Sequence, residues 1–265
     1  MRLARIGIAA LLGMLLITGC TTSAHSGDGL DPNAESSGPG TEQPGPTGEV
    51  TVFAAASLRT AFDEIADSFE QQYPGVTVEP IVYDGSSTLV TQLTEGARAD
   101  VLATADERNM QVLVDSGLAA DPQLFATNTL VVAVPVGNPG DVKTLTDLAD
   151  AVTVLCAPEV PCGAATTTLL EAADVRVDPA SLEQNVTAVL QKVAAGEADA
   201  GIVYATDVIG DDAVQSFAPD GADKVVNRYP IVALNDANEN GVLFADFVRS
   251  PDGQRIMQRL GFGAP

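Results

Sequence analysis

Serine and small residues follow two strand-like segments at the points where helices are predicted to begin. Ser57 lies in the turn 54–58, after the apolar run 50–53, and Ser86 lies in the turn 84–89, after a second run. The first N–H groups of a helix have no partner within it, and the helix dipole favours negative charge there. The two turns are therefore candidates for an anion site. Either serine alone also suits an ordinary helix cap.

Short apolar runs alternate with amphipathic stretches along the chain, which is typical of an α/β fold. The predicted strands cover residues 50–53, 76–83, 100–103, 130–134, 152–155, 201–204 and 231–234. The predicted helices cover residues 58–69, 88–95, 107–115, 146–150, 165–173, 186–194, 242–249 and 252–260. Both serine turns thus join a strand to the helix that follows it.

Other chemistries find little support in the residue types. A serine hydrolase needs a general base, and the single histidine, His25, lies in a polar segment near the N-terminus. A lysine base stays conceivable, but no lysine lies beside either turn. The acidic residues show no EF-hand spacing, so calcium binding is not indicated. Tyr73, Tyr83 and Tyr229 could in principle hold iron, but core positions explain them as well.

The chain is strongly acidic, with 13 Lys and Arg against 36 Asp and Glu and a formal net charge of −23. Such a charge disfavours nucleic acid and anionic surfaces as partners. An anion site in this protein must therefore be local and built from oriented dipoles, because the overall field repels anions.

The N-terminus predicts export and lipid attachment. Arg2 and Arg5 precede an apolar run over residues 6–17, which is too short for a stable membrane span. The following Leu-Ile-Thr-Gly-Cys resembles a bacterial lipobox and implies a signal peptide over residues 1–19 with lipid on Cys20. An ordinary signal peptide with a chance cysteine is the alternative. Residues 20–48 are polar and rich in Gly and Pro, which predicts a disordered tether.

Two further cysteines, Cys156 and Cys162, lie six residues apart. An exported protein meets oxidising conditions, so a disulfide between them is expected. Two free buried thiols are the alternative. A metal pair is disfavoured because the folded part has no other Cys or His.

Several segments, in this order, resemble the molybdate-binding periplasmic proteins of molybdate ABC transporters. The resemblance lies in Val-Phe-Ala-Ala-Ala-Ser-Leu (52–58), Gly-Ser-Ser-Thr-Leu (85–89), Gly-Ala-Arg-Ala-Asp-Val (96–101), Asn-Thr-Leu-Val-Val (128–132), Gly-Ile-Val-Tyr (201–204) and Tyr-Pro-Ile (229–231). It implies a type II periplasmic-binding-protein fold, in which two α/β lobes enclose a ligand cleft. The expected lobes are 49–129 with 228–265, and 130–227.

The resemblance also implies the ligand contacts, residue by residue. The family's serines fall on Ser57 and on Ser86 rather than Ser87, and its tyrosine hydroxyl falls on Tyr204. Two backbone N–H donors fall on Cys162, where alanine is expected, and on Val186. A second departure is Asp84, a carboxylate beside an oxyanion site, which is unfavourable unless it points away.

The implied function is capture of molybdate or tungstate for an ABC importer. The protein is then a monomer on the outer face of the cell membrane, with a permease as its partner and without a cofactor or catalysis. A site of uncharged donors suits a fully deprotonated dianion and rejects hydrogen phosphate, whose proton needs an acceptor. The alternatives are the same fold binding sulfate or another oxyanion, a lipoprotein hydrolase, and a surface lipoprotein without a ligand.

Overall fold

A computed structural model of the protein describes residues 45–265. The predicted signal peptide, the lipid on Cys20 and nearly all of the predicted tether lie outside the described residues. The first strand begins at Gly48, the last residue assigned to the tether.

The described residues form strands and helices in alternation, which confirms the expected α/β class. The strands are β1 (Gly48–Val50), β2 (Val52–Ala55), β3 (Val76–Val78), β4 (Val82–Asp84), β5 (Val101–Ala103), β6 (Gln123–Pro135), β7 (Thr153–Cys156), β8 (Ser181–Glu183), β9 (Ala200–Tyr204), β10 (Val214–Phe217) and β11 (Val226–Ala233). The helices are α1 (Arg59–Gln72), α2 (Ser86–Thr94), α3 (Glu107–Asp115), α4 (Pro161–Ala172), α5 (Val186–Ala194), α6 (Glu239–Arg249) and α7 (Pro251–Arg259). Short 3-10 turns cover Ala56–Leu58, Thr146–Ala149 and Ala222–Lys224.

One long strand joins two halves of the main sheet. The order is β4-β2-β5-β11-β6-β9-β7-β8, with β10 paired to β6, and β1 and β3 form a separate pair. The first part of β6 pairs with β11 over Gln123 to Thr129, and its second part pairs with β9 from Leu130 onward. We call the β4-β2-β5-β11 side the first half and the β9-β7-β8 side the second half.

The predicted elements differ from the structure at their ends, and the short strands β8 and β10 were not predicted. The strand predicted over residues 76–83 is broken into β3 and β4, with Pro80, which cannot donate to a sheet ladder, between them. Helix α2 begins at Ser86 and α4 at Pro161, earlier than predicted. Proline is favoured at the first helical position because its missing N–H is not needed there. Both early starts bring a predicted ligand residue into a first helical turn.

Aromatic packing anchors α1 in the first half. Phe62 and Phe69 are buried and meet Phe244 of α6 edge to face, with ring centroids 6.1 and 5.2 Å apart. Such pairs contribute about 0.5–1.5 kcal/mol each beyond the burial of their area. The helix that follows the Ser57 turn is therefore held firmly.

Among the described helices, none has the length and apolar character to cross a membrane.

Candidate ligand-binding site

The structure brings all five predicted ligand residues to one small cavity. Its empty volume, counted out to the open mouth, is about 210 Å³. The cavity lies between the two halves and is lined by Ala55, Ala56, Ser57, Asp84, Gly85, Ser86, Ala105, Val160, Pro161, Cys162, Asn185, Val186 and Tyr204. Ser86 is among these residues and Ser87 is not.

Helix starts supply four of the five residues. Ser57 lies in the 3-10 turn before α1, Ser86 is the first residue of α2, Cys162 is the second of α4 and Val186 is the first of α5. The first N–H groups of a helix have no acceptor inside it, and the dipole places partial positive charge there. Four sources of uncharged positive potential thus converge on one cavity.

Ala105 fixes the orientation of two hydroxyl groups. Its N–H donates to Ser86 Oγ at 3.0 Å, and its carbonyl accepts from Asn227 Nδ2 at 2.9 Å. The same Nδ2 donates to Tyr204 Oη at 3.0 Å. Ser86 and Tyr204 are each 1% exposed, so these bonds are shielded from water.

Ser57 belongs to a second buried network. Its Oγ lies 3.1 Å from Tyr229 Oη, which Asn128 Nδ2 approaches at 3.4 Å. The Asn128 amide is oriented by its own Oδ1, which accepts from the N–H of Thr129 at 3.0 Å. Asn128 and Tyr229 belong to the segments that resembled the family, but their role beside Ser57 was not predicted.

Burial keeps both phenols protonated. Burial is the largest cause that raises the pKa of Tyr204 well above its ordinary value, and the neighbouring Tyr229 and Asp207 act in the same direction. Burial likewise raises the pKa of Tyr229. Tyr204 therefore offers a hydroxyl proton, not a phenolate, to the cavity.

Asp84 lines the cavity but its carboxylate is held by neutral donors. Oδ1 accepts from the N–H of Gly85 at 2.7 Å and from Asn185 Nδ2 at 2.9 Å. Asn185 lies in the second half, so this bond spans the cavity. The sequence pattern gave a local signal for Asn185, a good capping residue directly before the helix predicted at 186, and its Oδ1 does cap α5 by accepting from Ala188 N–H.

The predicted disulfide between Cys156 and Cys162 is present, with Cα atoms 5.8 Å apart. It ties the end of β7 to the first turn of α4. Gly163 packs there against the Ala157 carbonyl so closely that a Cβ atom would overlap it. The N–H of Cys162 thus lies in a helix start that the disulfide ties to the end of β7.

The electrostatics of the site come from dipoles. The lining residues include no Lys, Arg or His, and Asp84 is the one charged side chain among them. Within residues 45–265, no cluster of three or more His, Cys, Asp or Glu could hold a metal ion. The arrangement can bind a small acceptor-only anion, and its one carboxylate, Asp84, is hydrogen-bonded to Gly85 and Asn185.

A half-buried carboxylate lies behind the site. Asp207 accepts from the N–H of Tyr204 at 2.8 Å, and it lines a second cavity that also contains Ala56 and Ser57. Burial raises the pKa of Asp207 to about 7, against the opposing effect of the Tyr204 hydrogen bond.

Comparison with known proteins decides the family. The family model "bacterial extracellular solute-binding protein" matches residues 50–263. The chain belongs to this family. It is 40% identical to the molybdate-binding protein ModA of Mycobacterium tuberculosis over 87% of this chain and 91% of that protein. It is 32% identical to ModA of Escherichia coli over 81% of this chain and 89% of the relative.

A solved structure supports the fold. The periplasmic molybdate-binding protein of Azotobacter vinelandii superimposes with a TM-score of 0.67 over 82% of this chain and 99% of that one, at 21% identity. The expected two-lobed type II binding-protein fold is confirmed. Because its relatives bind solutes for transport, the chain is a solute-binding protein and not an enzyme.

Proposed function

We propose that this protein captures molybdate, and equally tungstate, for an ABC importer. The observation that carries the proposal is the meeting of Ser57, Ser86, Cys162, Val186 and Tyr204 around one small cavity that contains no basic side chain. The names of the relatives at 40% and 32% identity, both molybdate-binding proteins, support this choice of anion.

The hydrogen-bonding pattern favours anions without a proton. Helix N–H groups can only give hydrogen bonds to a ligand, and a hydroxyl whose oxygen already accepts one has its proton left to give. Bonds to a charged acceptor are the strong ones. Molybdate, tungstate and sulfate need nothing else. Hydrogen phosphate also carries a donor. Unless that proton reaches the Asp84 carboxylate, whose Oδ1 already accepts from Gly85 and Asn185, it would stay unpaired at a cost of about 1–3 kcal/mol.

The two halves would act as lobes that close on the anion. In the proposed division, residues 49–129 and 228–265 carry Ser57 and Ser86, and residues 130–227 carry the other three ligand residues. Only the closed state then offers all donors at once, so the anion stabilises closure by its higher affinity for that state.

The folded domain would lie on the outer face of the cell membrane. Lipid on Cys20 would anchor the chain after loss of residues 1–19, and residues 20–48 would serve as the tether. A monomer would then deliver the anion to a permease. Mass spectrometry of the exported protein tests the lipid, because a Cys20→Ser variant should lose both the added mass and retention in membranes.

A thermal-unfolding screen tests the ligand. Molybdate or tungstate at about a thousand times its dissociation constant should add roughly 4 kcal/mol of stability. Phosphate should add no stability. The shift produced by sulfate will show how far the size of the cavity contributes to selectivity among dianions. Equal shifts with molybdate, sulfate and phosphate would contradict the proposed selectivity, and the absence of a shift with every oxyanion would contradict the binding function.

A further inference from the structure

The amide of Asn227 is the best-defined polar group behind the cavity. Its Nδ2 lies 2.9 Å from the carbonyl oxygen of Ala105 and 3.0 Å from Tyr204 Oη, and the residue is 7% exposed. A carbonyl oxygen can only accept a hydrogen bond. The atom beside it must therefore be the amide nitrogen and not the amide oxygen.

This assignment determines where the Tyr204 proton points. The amide nitrogen has two hydrogens, one for Ala105 and one for Tyr204, so Tyr204 Oη acts as an acceptor towards Asn227. A hydroxyl has one proton, and that proton cannot lie on the same axis. It remains to be donated elsewhere, either to the neighbouring Tyr229 hydroxyl or to an anion in the cavity that Tyr204 lines.

The backbone of Ala105 also orients the hydroxyl of Ser86. The N–H of Ala105, an obligate donor, reaches Ser86 Oγ at 3.0 Å, so the Ser86 proton is also free to point into the cavity. One alanine backbone thus orders a hydroxyl in each half of the site, directly for Ser86 and through Asn227 for Tyr204.

We propose that Asn227 is a positioning and specificity-determining residue that occupies an acceptor site of the Tyr204 hydroxyl, orients Tyr204 as a donor to the anion and so disfavours anions that carry a proton. The inference rests on the proposed function, since it explains how that site would distinguish molybdate from hydrogen phosphate. Asn227 itself does not line the cavity and acts through the hydroxyl of Tyr204.

Two substitutions separate orientation from packing. Asn227→Asp puts an oxygen in the place of Nδ2. Protonated, as the facing Ala105 carbonyl requires, that oxygen donates to Ala105 and can only accept from Tyr204, which draws the Tyr204 proton away from the cavity. Asn227→Leu removes the polar contact without reversing it. Asn240→Leu is the matched control, because Asn240 is also buried and donates to backbone carbonyls, those of Thr47 and Glu49, away from the cavity.

Calorimetric titration of the full-length protein with molybdate and with inorganic phosphate, at about pH 8, provides the test. Asn227→Leu should weaken molybdate binding roughly three- to tenfold, the range expected for one hydrogen bond. Asn227→Asp should weaken it further and shift the phosphate-to-molybdate affinity ratio at least about tenfold towards phosphate. Asn240→Leu should change neither quantity.

A double-mutant cycle with Tyr204→Phe completes the test. If Asn227 acts through the Tyr204 hydroxyl, Asn227→Leu should cost no further affinity once that hydroxyl is gone. Additive losses would overturn the inference and assign the effect to Ala105 and Ser86. An unchanged phosphate-to-molybdate affinity ratio in a folded Asn227→Asp protein would also overturn it. If Asn227→Asp does not fold, the cycle alone decides. Wild-type protein that fails to bind molybdate would instead refute the proposed function.

Discussion

The side chain of Asn185 spans the ligand cavity to reach Asp84, with Nδ2 2.9 Å from Oδ1, while its own Oδ1 caps helix α5. One residue therefore joins the two halves and also holds the helix start that carries Val186. Arg108 makes a second connection, since its guanidinium donates to the carbonyl of Glu159 at 2.8 Å. The carboxylate that looked unfavourable in the sequence is part of the contact between the halves.

Asp84 combines two opposing effects that substitution can separate. Asp84→Asn keeps an acceptor oxygen for Asn185 but removes a negative charge beside the proposed dianion, so it should strengthen molybdate binding by about 1–3 kcal/mol. Asp84→Ala removes the charge and the contact together, so it should gain less than Asp84→Asn. Calorimetry at low and high salt measures both. Equal affinities for the two variants would mean that the bond to Asn185 does not contribute to closure.

The hydroxyl of Ser86 should matter for binding and for stability. Ser86→Ala removes one proposed ligand donor and also leaves the buried N–H of Ala105 without its partner. We expect a loss of about 1–3 kcal/mol in molybdate binding and about 1–3 kcal/mol in the free energy of unfolding. Ser87→Ala, one residue along the same helix, is the control and should change neither. Titration calorimetry and urea denaturation without ligand are the measurements, and a binding loss shared by both variants would speak against Ser86 as a ligand residue.

The disulfide should stabilise both the fold and the ligand site. The chain-entropy model assigns about 2–3 kcal/mol to so short a loop, and the bond fixes the helix start that presents Cys162. Reductant should therefore lower the urea midpoint and weaken molybdate binding. A double Cys156→Ser/Cys162→Ser protein should resemble the reduced protein and respond no further to reductant. Full affinity in that variant would show that the N–H of Cys162 does not need the covalent tie.

Asp207 should make the unliganded protein less stable as the pH rises. Its pKa is about 7 in the folded protein and lies near its ordinary value of 3.8 when the chain is unfolded. Between these values the folded state holds a proton that the unfolded state has released. Stability should consequently fall as pH increases from about 4 to 7 and level off above 7, by up to a few kcal/mol.

Thermal melts across this pH range test the assignment. Asp207→Asn retains an acceptor for the N–H of Tyr204 and should flatten the curve. A slope that persists in this variant would place its origin in other carboxylates.

The overall charge should slow the approach of the anion. A net charge of −23 repels a dianion at long range, and salt screens that repulsion. The association rate for molybdate, measured by stopped flow, should therefore rise with ionic strength, in contrast to a site steered by basic residues. A rate that falls with salt would indicate an attractive local field stronger than the global one.

The parts of the site that could be predicted are those with local signals. Ser57 and Ser86 follow strands at helix starts, and the family resemblance supplied Cys162, Val186 and Tyr204. The groups behind them could not be predicted, because their pairings span large sequence separations. Asp84 and Asn185 are 101 residues apart, and the amide of Asn227 reaches the Ala105 carbonyl across 122. Such contacts depend on how β6 and β11 join the half-sheets, which no periodicity in the sequence encodes.

Helix ends show the same limit on a smaller scale. The apolar spacing of α2 and α4 begins after their first turns, where Ser86, Pro161 and Cys162 interrupt it. The first turn of each helix is determined by the groups it faces and by proline geometry, so hydrophobic pattern alone places the start too late.

Gly85 has a consequence for how long the protein keeps its ligand. A Cβ atom at this position would overlap the carbonyl oxygen of Gln184 in the opposite half, so the two backbones meet there with no side chain between them. A single methyl group would act as a spacer that holds the halves apart while leaving every donor in place. Such a protein would still encounter the anion at the usual frequency but release it quickly. The absence of a Cβ atom at Gly85 would therefore lengthen the residence time of the anion, and with it the chance that the protein reaches the permease with its ligand still bound.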